Sequence, residues 1–209
     1  MLAVTSEQPQ GHYFSPTAPQ PAQVSWLPLT LAGREVEVAM APGVFSQGHV
    51  DLGTRVLLRE VPVPPAQGAL LDLGCGWGPL TLTMALLSPD AQVWAVDVND
   101  RALDLVHRSA ERLGLANVHV ARPEQVPAEL EFAAIWSNPP IRIGKEALHE
   151  LLVTWLPRLE SGALAHLVVQ RNLGADSLLT WLNRRDWPLA SSKFHSAKGF
   201  RVIRVERRG

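Results

Sequence analysis

From Ala69 onward the chain alternates short apolar runs with longer amphipathic ones, a rhythm that separates strands from helices. "ALLDLG" is continuously apolar and predicts a buried strand, and "PLTLTMALLS" predicts a helix with Pro79 in its first turn, where proline is tolerated. "AQVWAVDV" predicts a second strand, followed by an amphipathic helix from Asn99 to Leu113 that Gly114 closes. "NVHVA" and "FAAIWS" read as further strands, Lys145–Leu159 as a helix, "GALAHLVVQ" as a strand and Ala175–Arg185 as a helix. The stretch from Leu189 to Glu206 holds one or two more strands with no helix between them. Strands apolar on both faces with helices between them predict a doubly wound, mainly parallel sheet. The last pair predicts an antiparallel edge hairpin.

Upstream the pattern is different. Residues to about Gln23 are rich in Pro, Gln, Ser and Thr and read as extended. Val24–Leu31 and Glu35–Ala41 alternate about "AGR", the pattern of a β-hairpin. "VDLGTRVLLREV" has helical spacing with Asp51 placed as a cap, and "VPVPPAQG" reads as a linker. The expected organisation is a small hairpin-and-helix extension over residues 1–62 and an α/β domain over 63–209.

Composition bounds the function classes. The 209 residues are 46% hydrophobic and 19% charged, a globular balance, and a net charge of −1 gives no overall pull toward nucleic acid or anionic membrane. One cysteine, Cys75, excludes an internal disulfide and fits a reducing compartment. The N-terminus shows no signal-peptide pattern and no apolar run has membrane-spanning length, so a cytoplasmic protein is expected. His49, His149 and His195 are not spaced as a metal site, and no metal is implied.

In doubly wound sheets, ligands bind outside the carboxyl ends of the strands. Three features fall there. Gly74, Gly76 and Gly78 of "DLGCGWG" permit tight turning and close backbone approach. Asp97, at the end of the second core strand, stands where a carboxylate grips a ribose diol. Either feature alone also reads as ordinary structure, a glycine turn or a helix cap; together they imply a nucleoside-bearing cofactor. Asp72, just before the loop, would repel the pyrophosphate of a dinucleotide but could pair with an ammonium, directly or through water. That favours S-adenosyl-L-methionine over a nicotinamide dinucleotide. The third feature is "SNPPI", where Asn138, Pro139 and Pro140 end the fourth core strand. It is either a strand-stopping loop or a rigid clamp that presents oxygens to a substrate.

"DLGCGWG", the downstream Asp97 and "SNPPI" resemble the motifs of class I S-adenosylmethionine-dependent methyltransferases, in their order along the chain. "GVFSQGHVDLGTRVLL", "SNPPIRIGKEALH" and "KGFRVIRV" are similar, more narrowly, to the small-domain methyltransferases that include guanine-N2 methyltransferases of small-subunit ribosomal RNA. The resemblance runs from about His12 to Val205. The ribosomal enzymes of this type carry an additional N-terminal domain with no counterpart in this sequence.

The resemblance implies a Rossmann-like, seven-stranded sheet and methyl transfer to an exocyclic amine. The cofactor residues it implies are Asp72, Gly74, Cys75, Gly76, Gly78, Asp97 and Asn138. The Asn138 side-chain oxygen and the Pro139 carbonyl would accept the amine's N–H groups and aim its lone pair, with the prolines holding both acceptors in place. Relatives that flip a base carry an aromatic residue after the second proline; here it is Ile141, and Phe45, or less favourably Trp77 or Trp136, would have to stack on the base instead. The adenine-binding acid of the family is also missing from "ARPEQV", with Glu124 nearby.

Arg142 and Lys145 beside that loop, together with the basic stretch Arg184–Arg208 that includes Lys198 and Arg201, form either an RNA-backbone surface or the charged guard of an edge hairpin. The expected protein is a monomeric RNA methyltransferase that needs no metal or membrane. The alternatives are a protein glutamine methyltransferase and a non-catalytic module that binds the cofactor or RNA.

Overall fold

The computed structural model describes residues 24–42, 44 and 49–209. The chain opens with β1 (Ser25–Leu31) and β2 (Arg34–Met40), an antiparallel pair in continuous register from Ser25↔Met40 to Leu31↔Arg34. Ala32 and Gly33 turn it at φ 50° and 73°, the positive pair that two-residue hairpins need to match strand twist. Helix α1 (Leu52–Glu60) follows, capped as expected by Asp51, whose Oδ1 accepts from the Gly53 and Thr54 amides at 2.9 and 3.2 Å.

The core then runs β3 (Ala69–Leu73), α2 (Pro79–Leu87), β4 (Gln92–Val96), α3 (Asp100–Leu113), β5 (Val118–Ala121), β6 (Phe132–Ser137), α4 (Lys145–Trp155), β7 (Leu159–Gln170), α5 (Ala175–Asn183), β8 (Leu189–Ala197) and β9 (Phe200–Arg207). Seven strands form one sheet in the order β5-β4-β3-β6-β7-β9-β8. The first five pair in parallel, and β9 runs antiparallel to both β7 and β8. This is the Rossmann-like sheet with an antiparallel C-terminal hairpin that the sequence pattern predicts. Strand order reverses between β3 and β6, which places the crevice there.

Two helix ends differ by more than one residue from the sequence reading. Helix α4 ends at Trp155, and a single 3₁₀ turn, Leu156–Arg158, leads directly into β7. Pro157 lacks the amide the helix would need and disfavours helical geometry before it. Helix α5 stops at Asn183 rather than Arg185.

Leu71, Leu73, Ile135, Ala165, Leu167 and Val169 face α4 and α5 across one core, while Leu70, Ala134, Trp136, Val168 and Val202 face α1 and α2 across another. The β1–β2 hairpin packs Leu31, Val36, Val38 and Ala39 over α3, where the Ala39 amide donates to Ser109 Oγ at 2.9 Å.

Candidate functional site

The two loops at the switch point leave adjacent strands. β3 and β6 pair with Asp72 opposite Trp136, and Ser137 Oγ donates to the Leu73 carbonyl at 2.6 Å. A Cβ added at Gly74 would lie 3.6 Å from Pro140 Cδ. The glycine loop and the proline loop therefore meet, as the functional reading requires.

The glycine loop is held by its own amides. Gly74 N and Cys75 N donate to the Val96 carbonyl at 2.8 and 3.1 Å, tying the loop to the end of β4. Gly76 N donates to Asp97 Oδ2, and Asn99 N to Asp97 Oδ1, both at 2.9 Å. Gly74, Gly76 and Gly78 all have positive φ, at 76°, 55° and 89°. At Gly78 a Cβ would fall 2.7 Å from Val106 Cγ2, so only glycine lets α2 begin so close to α3; at Gly76 nothing lies within 4 Å of that position.

Asp72 is fully buried. Its Oδ2 accepts from the Thr81 amide at 2.9 Å and the Thr81 hydroxyl at 2.6 Å, capping α2, whose N-cap Gly78 has no side chain to do so. Oδ1 has no partner. Burial pushes the carboxyl up to about 7 against the opposing pull of the Thr81 bonds. Burial, aided by Asp72, likewise raises the Cys75 thiol. Cys75 is thus a buried neutral thiol beneath the loop. Asp97 is half-exposed, and each of its oxygens, bonded once by backbone, keeps a free lone pair. The glycines without Cβ and the half-open Asp97 carboxylate fit a diol-bearing, phosphate-free cofactor.

On the other side, Asn138 is half-buried, Pro139 buried and Pro140 exposed. Asn138 Nδ2 donates to Asp51 Oδ1 and to Thr54 Oγ1, each at 3.1 Å. A carboxylate only accepts, so the group facing it is the amide nitrogen, and Oδ1 is left for another donor. The Pro139 carbonyl already accepts from Ile141 N at 2.8 Å across Pro140 at φ −73°, ψ 76°, an inverse γ-turn. One of its lone pairs remains.

The residues expected to meet substrate are distributed unevenly. Arg142 and Lys145 are exposed beside the proline loop, and Lys198 is exposed in the β8–β9 turn. That turn lies at the carboxyl end of β7, where Gln170 pairs with Phe200. Arg201, by contrast, is largely covered and ion-paired with Asp176. Ile141 packs against the core beside α4. Trp77 and Trp136 are core residues, 2% and 3% exposed. Phe45 lies outside the described residues.

Glu124 is exposed, 3.9 Å from Arg122, which grips Asp100 with two bonds of 2.6 and 2.7 Å. Among the described residues no group of His, Cys, Asp and Glu is arranged to hold a metal, and no helix is long and apolar enough to cross a membrane.

Three residues around these loops were not singled out by sequence reasoning for the contacts they make. Thr54 and the second role of Asp51 depend on contacts 84 and 87 residues away, with no local signal. Arg171 is exposed after β7, its amide bonded to the Gly199 carbonyl at 2.9 Å, and only the sheet order brings it to this edge.

Comparison with known proteins follows the same lines. Residues 35–197 match the model of the methyltransferase small domain. An uncharacterized protein of Bacillus subtilis (strain 168) is 30% identical over 199 residues, 94% of this chain and 98% of that protein. The ribosomal RNA small subunit methyltransferase C of Aeromonas hydrophila is 35% identical over 124 residues, 59% of this chain. A 16S rRNA N2 methyltransferase of T. thermophilus, solved in complex with AdoMet and guanosine, superposes over 91% of this chain with a TM-score of 0.74 at 27% identity. The chain spans 36% of the Aeromonas protein and 52% of the T. thermophilus one.

Proposed function

We propose, from the premise that this chain belongs to the methyltransferase small domain family, that it methylates an exocyclic amino nitrogen, guanine N2 of ribosomal RNA, with S-adenosyl-L-methionine as donor. One observation carries the reading: two residues before the Pro140 that neighbours Gly74, Asn138 has its amide nitrogen spent inside the protein and its oxygen left over. The relatives named as ribosomal RNA methyltransferases, and the guanosine in the T. thermophilus complex, support the choice of substrate.

When bound, the cofactor supplies an electrophilic methyl group on a sulfonium. Asp97 would hold its ribose diol, and the loop Gly74–Gly78 would lie against it without side chains in the way. The chain's remaining task is orientation. An exocyclic amine conjugated to a ring is a weak nucleophile, and displacement at the methyl is in-line. Asn138 Oδ1 and the remaining lone pair of the Pro139 carbonyl accept its two N–H groups and turn the lone pair toward the donor. As the nitrogen gains positive charge these bonds strengthen, and its proton leaves to solvent after transfer. Pro140 fixes the turn before substrate arrives. Arg142, Lys145 and Lys198 contact RNA phosphates. Residues 1–62 serve as the extension and 63–209 as the transfer domain, working as a monomer.

Incubation with radiolabelled cofactor and either small-subunit ribosomal RNA, assembled subunits or a release-factor protein tests this. Label recovered as N2-methylguanosine is the expected result. Label on a protein glutamine, or cofactor binding without transfer to any of the three, overturns it.

A further inference from the structure

Asp51 does two things at once. Its Oδ1 caps α1 through Gly53 and Thr54, and the same oxygen receives Asn138 Nδ2. Thr54, 3% exposed, adds its hydroxyl to that nitrogen. Gly53 makes the approach feasible, since a Cβ there would meet the Phe200 ring at 2.9 Å and Asp51 Oδ1 at 3.2 Å. The start of α1 is therefore wedged between the β8–β9 hairpin and the proline loop, with a carboxylate aimed at an amide.

We infer that Asp51, assisted by Thr54, is a positioning residue: it holds the Asn138 amide with its oxygen outward and, through its charge, strengthens that oxygen as an acceptor. An N–H that donates to a carboxylate draws the amide toward its charge-separated form and places more negative charge on Oδ1. That charge grows where the accepted amine becomes cationic, so the effect is larger in the transition state than in the ground state. The inference rests on the proposed amine-transfer reading and adds to it a carboxylate that never touches substrate.

Asp51→Asn separates this role from capping. Asparagine caps as well as aspartate and keeps an acceptor oxygen, but it removes the charge. The expected result is a kcat lower by roughly 10–100-fold, with KM and cofactor affinity within about 2-fold and an unchanged melting temperature. Thr54→Val should lower kcat, and Thr54→Ser should restore it. A residue that only caps would leave Asp51→Asn as active as the wild type, and that outcome overturns the inference.

A second measurement does not depend on turnover. The side-chain NH2 resonances of Asn138, identified by their loss in Asn138→Asp, should exchange slowly in the wild type and faster in Asp51→Asn and Thr54→Val. Identical exchange in all three removes the contact. If Asn138→Ala retains transfer, or no RNA is labelled, the functional reading falls while the NH2 resonances still decide the contact.

Discussion

The two loops that meet at the switch point achieve the same end by opposite means. The loop after β3 is built from glycines in left-handed conformations, and its amides are consumed by the end of β4 and by Asp97. What it offers a ligand is space. The loop after β6 is built from prolines, which remove amides and fix φ, and it offers acceptors: one amide oxygen and part of one carbonyl. In the proposed reading, glycine serves the side where a bulky molecule lies close to backbone, and proline the side that holds two acceptor oxygens. If this division holds, damage to the proline side should appear in kcat, and damage to the glycine side in folding or cofactor affinity.

The largest effect is expected at Asn138. Replacement by alanine removes the side-chain acceptor outright and should lower kcat by roughly 10²–10³-fold, the usual cost of one preorganised hydrogen-bonding group at a reacting centre. Cofactor affinity measured by calorimetry should stay within about 2-fold. Equal loss of both would erase the division between the loops.

On the glycine side, Gly78→Ala should cost about 2–4 kcal/mol of stability, combining overpacking against Val106 with a left-handed alanine. Gly76→Ala meets open space and should cost only about 1 kcal/mol. Adding Val106→Ala to Gly78→Ala relieves the clash but opens a void in α3, so it should recover part of the loss and no more. Denaturant unfolding of the three variants checks the order.

These loops also show where sequence could and could not be read. Strands β3, β4, β6 and β7 were legible as apolar runs, because a strand covered on both faces has few polar positions to confuse the pattern, whereas edge strand β8, with Ser191, Ser192, Lys193 and Ser196, carries no such run. Asn99 and Gly114 marked the ends of α3 because capping is a local matter: the Asn99 side chain accepts from the Arg101 amide at 3.0 Å, and Gly114 takes φ 65°. The end of α4 was missed although Pro157 was in plain view, since apolar periodicity continued through it. Asp72 was read for its pairing with a ligand's ammonium, directly or through water, and its role in capping a helix nine residues on went unread, because burial on that scale depends on the whole sheet. Arg201 looked like its neighbours Lys198 and Arg204 in a basic run, and only packing set it against Asp176. The candidate-site residues that stood out in advance were those whose backbone chemistry is unusual, glycine and proline. The contacts of Asp51 and Thr54 with Asn138, across 87 and 84 residues, did not.

Asp97 tests the glycine side more gently. It takes two backbone amides and keeps lone pairs for a diol, so Asp97→Ala should weaken cofactor binding by about 10–100-fold, the scale of one or two hydrogen bonds to a charged group. The rate at saturating cofactor should change much less. Asp97→Asn keeps the acceptor for Gly76 and should lie between the two. A fall in kcat with unchanged affinity would mean that the carboxylate serves the reacting centre instead.

The smallest effect should come from Pro140. Alanine can adopt φ −73° and ψ 76°, and the bonds from Ile141 N to the Pro139 carbonyl and from Ile143 N to the Pro140 carbonyl, 2.8 and 3.1 Å, do not need its ring. The folded turn therefore survives Pro140→Ala, and the change acts mainly by freeing the unfolded chain, worth about 0.4–1 kcal/mol. For a chain of 209 residues that is a melting temperature lower by about 1–4 °C. Asn138 remains held by Asp51 and Thr54 at the start of α1, so kcat should fall by no more than about 3-fold, since the side-chain acceptor keeps its aim. A loss rivalling that of Asn138→Ala would reverse the ranking. It would mean that stiffness of the turn, and with it the Pro139 carbonyl, orients the amine, while the Asn138 side chain plays the lesser part.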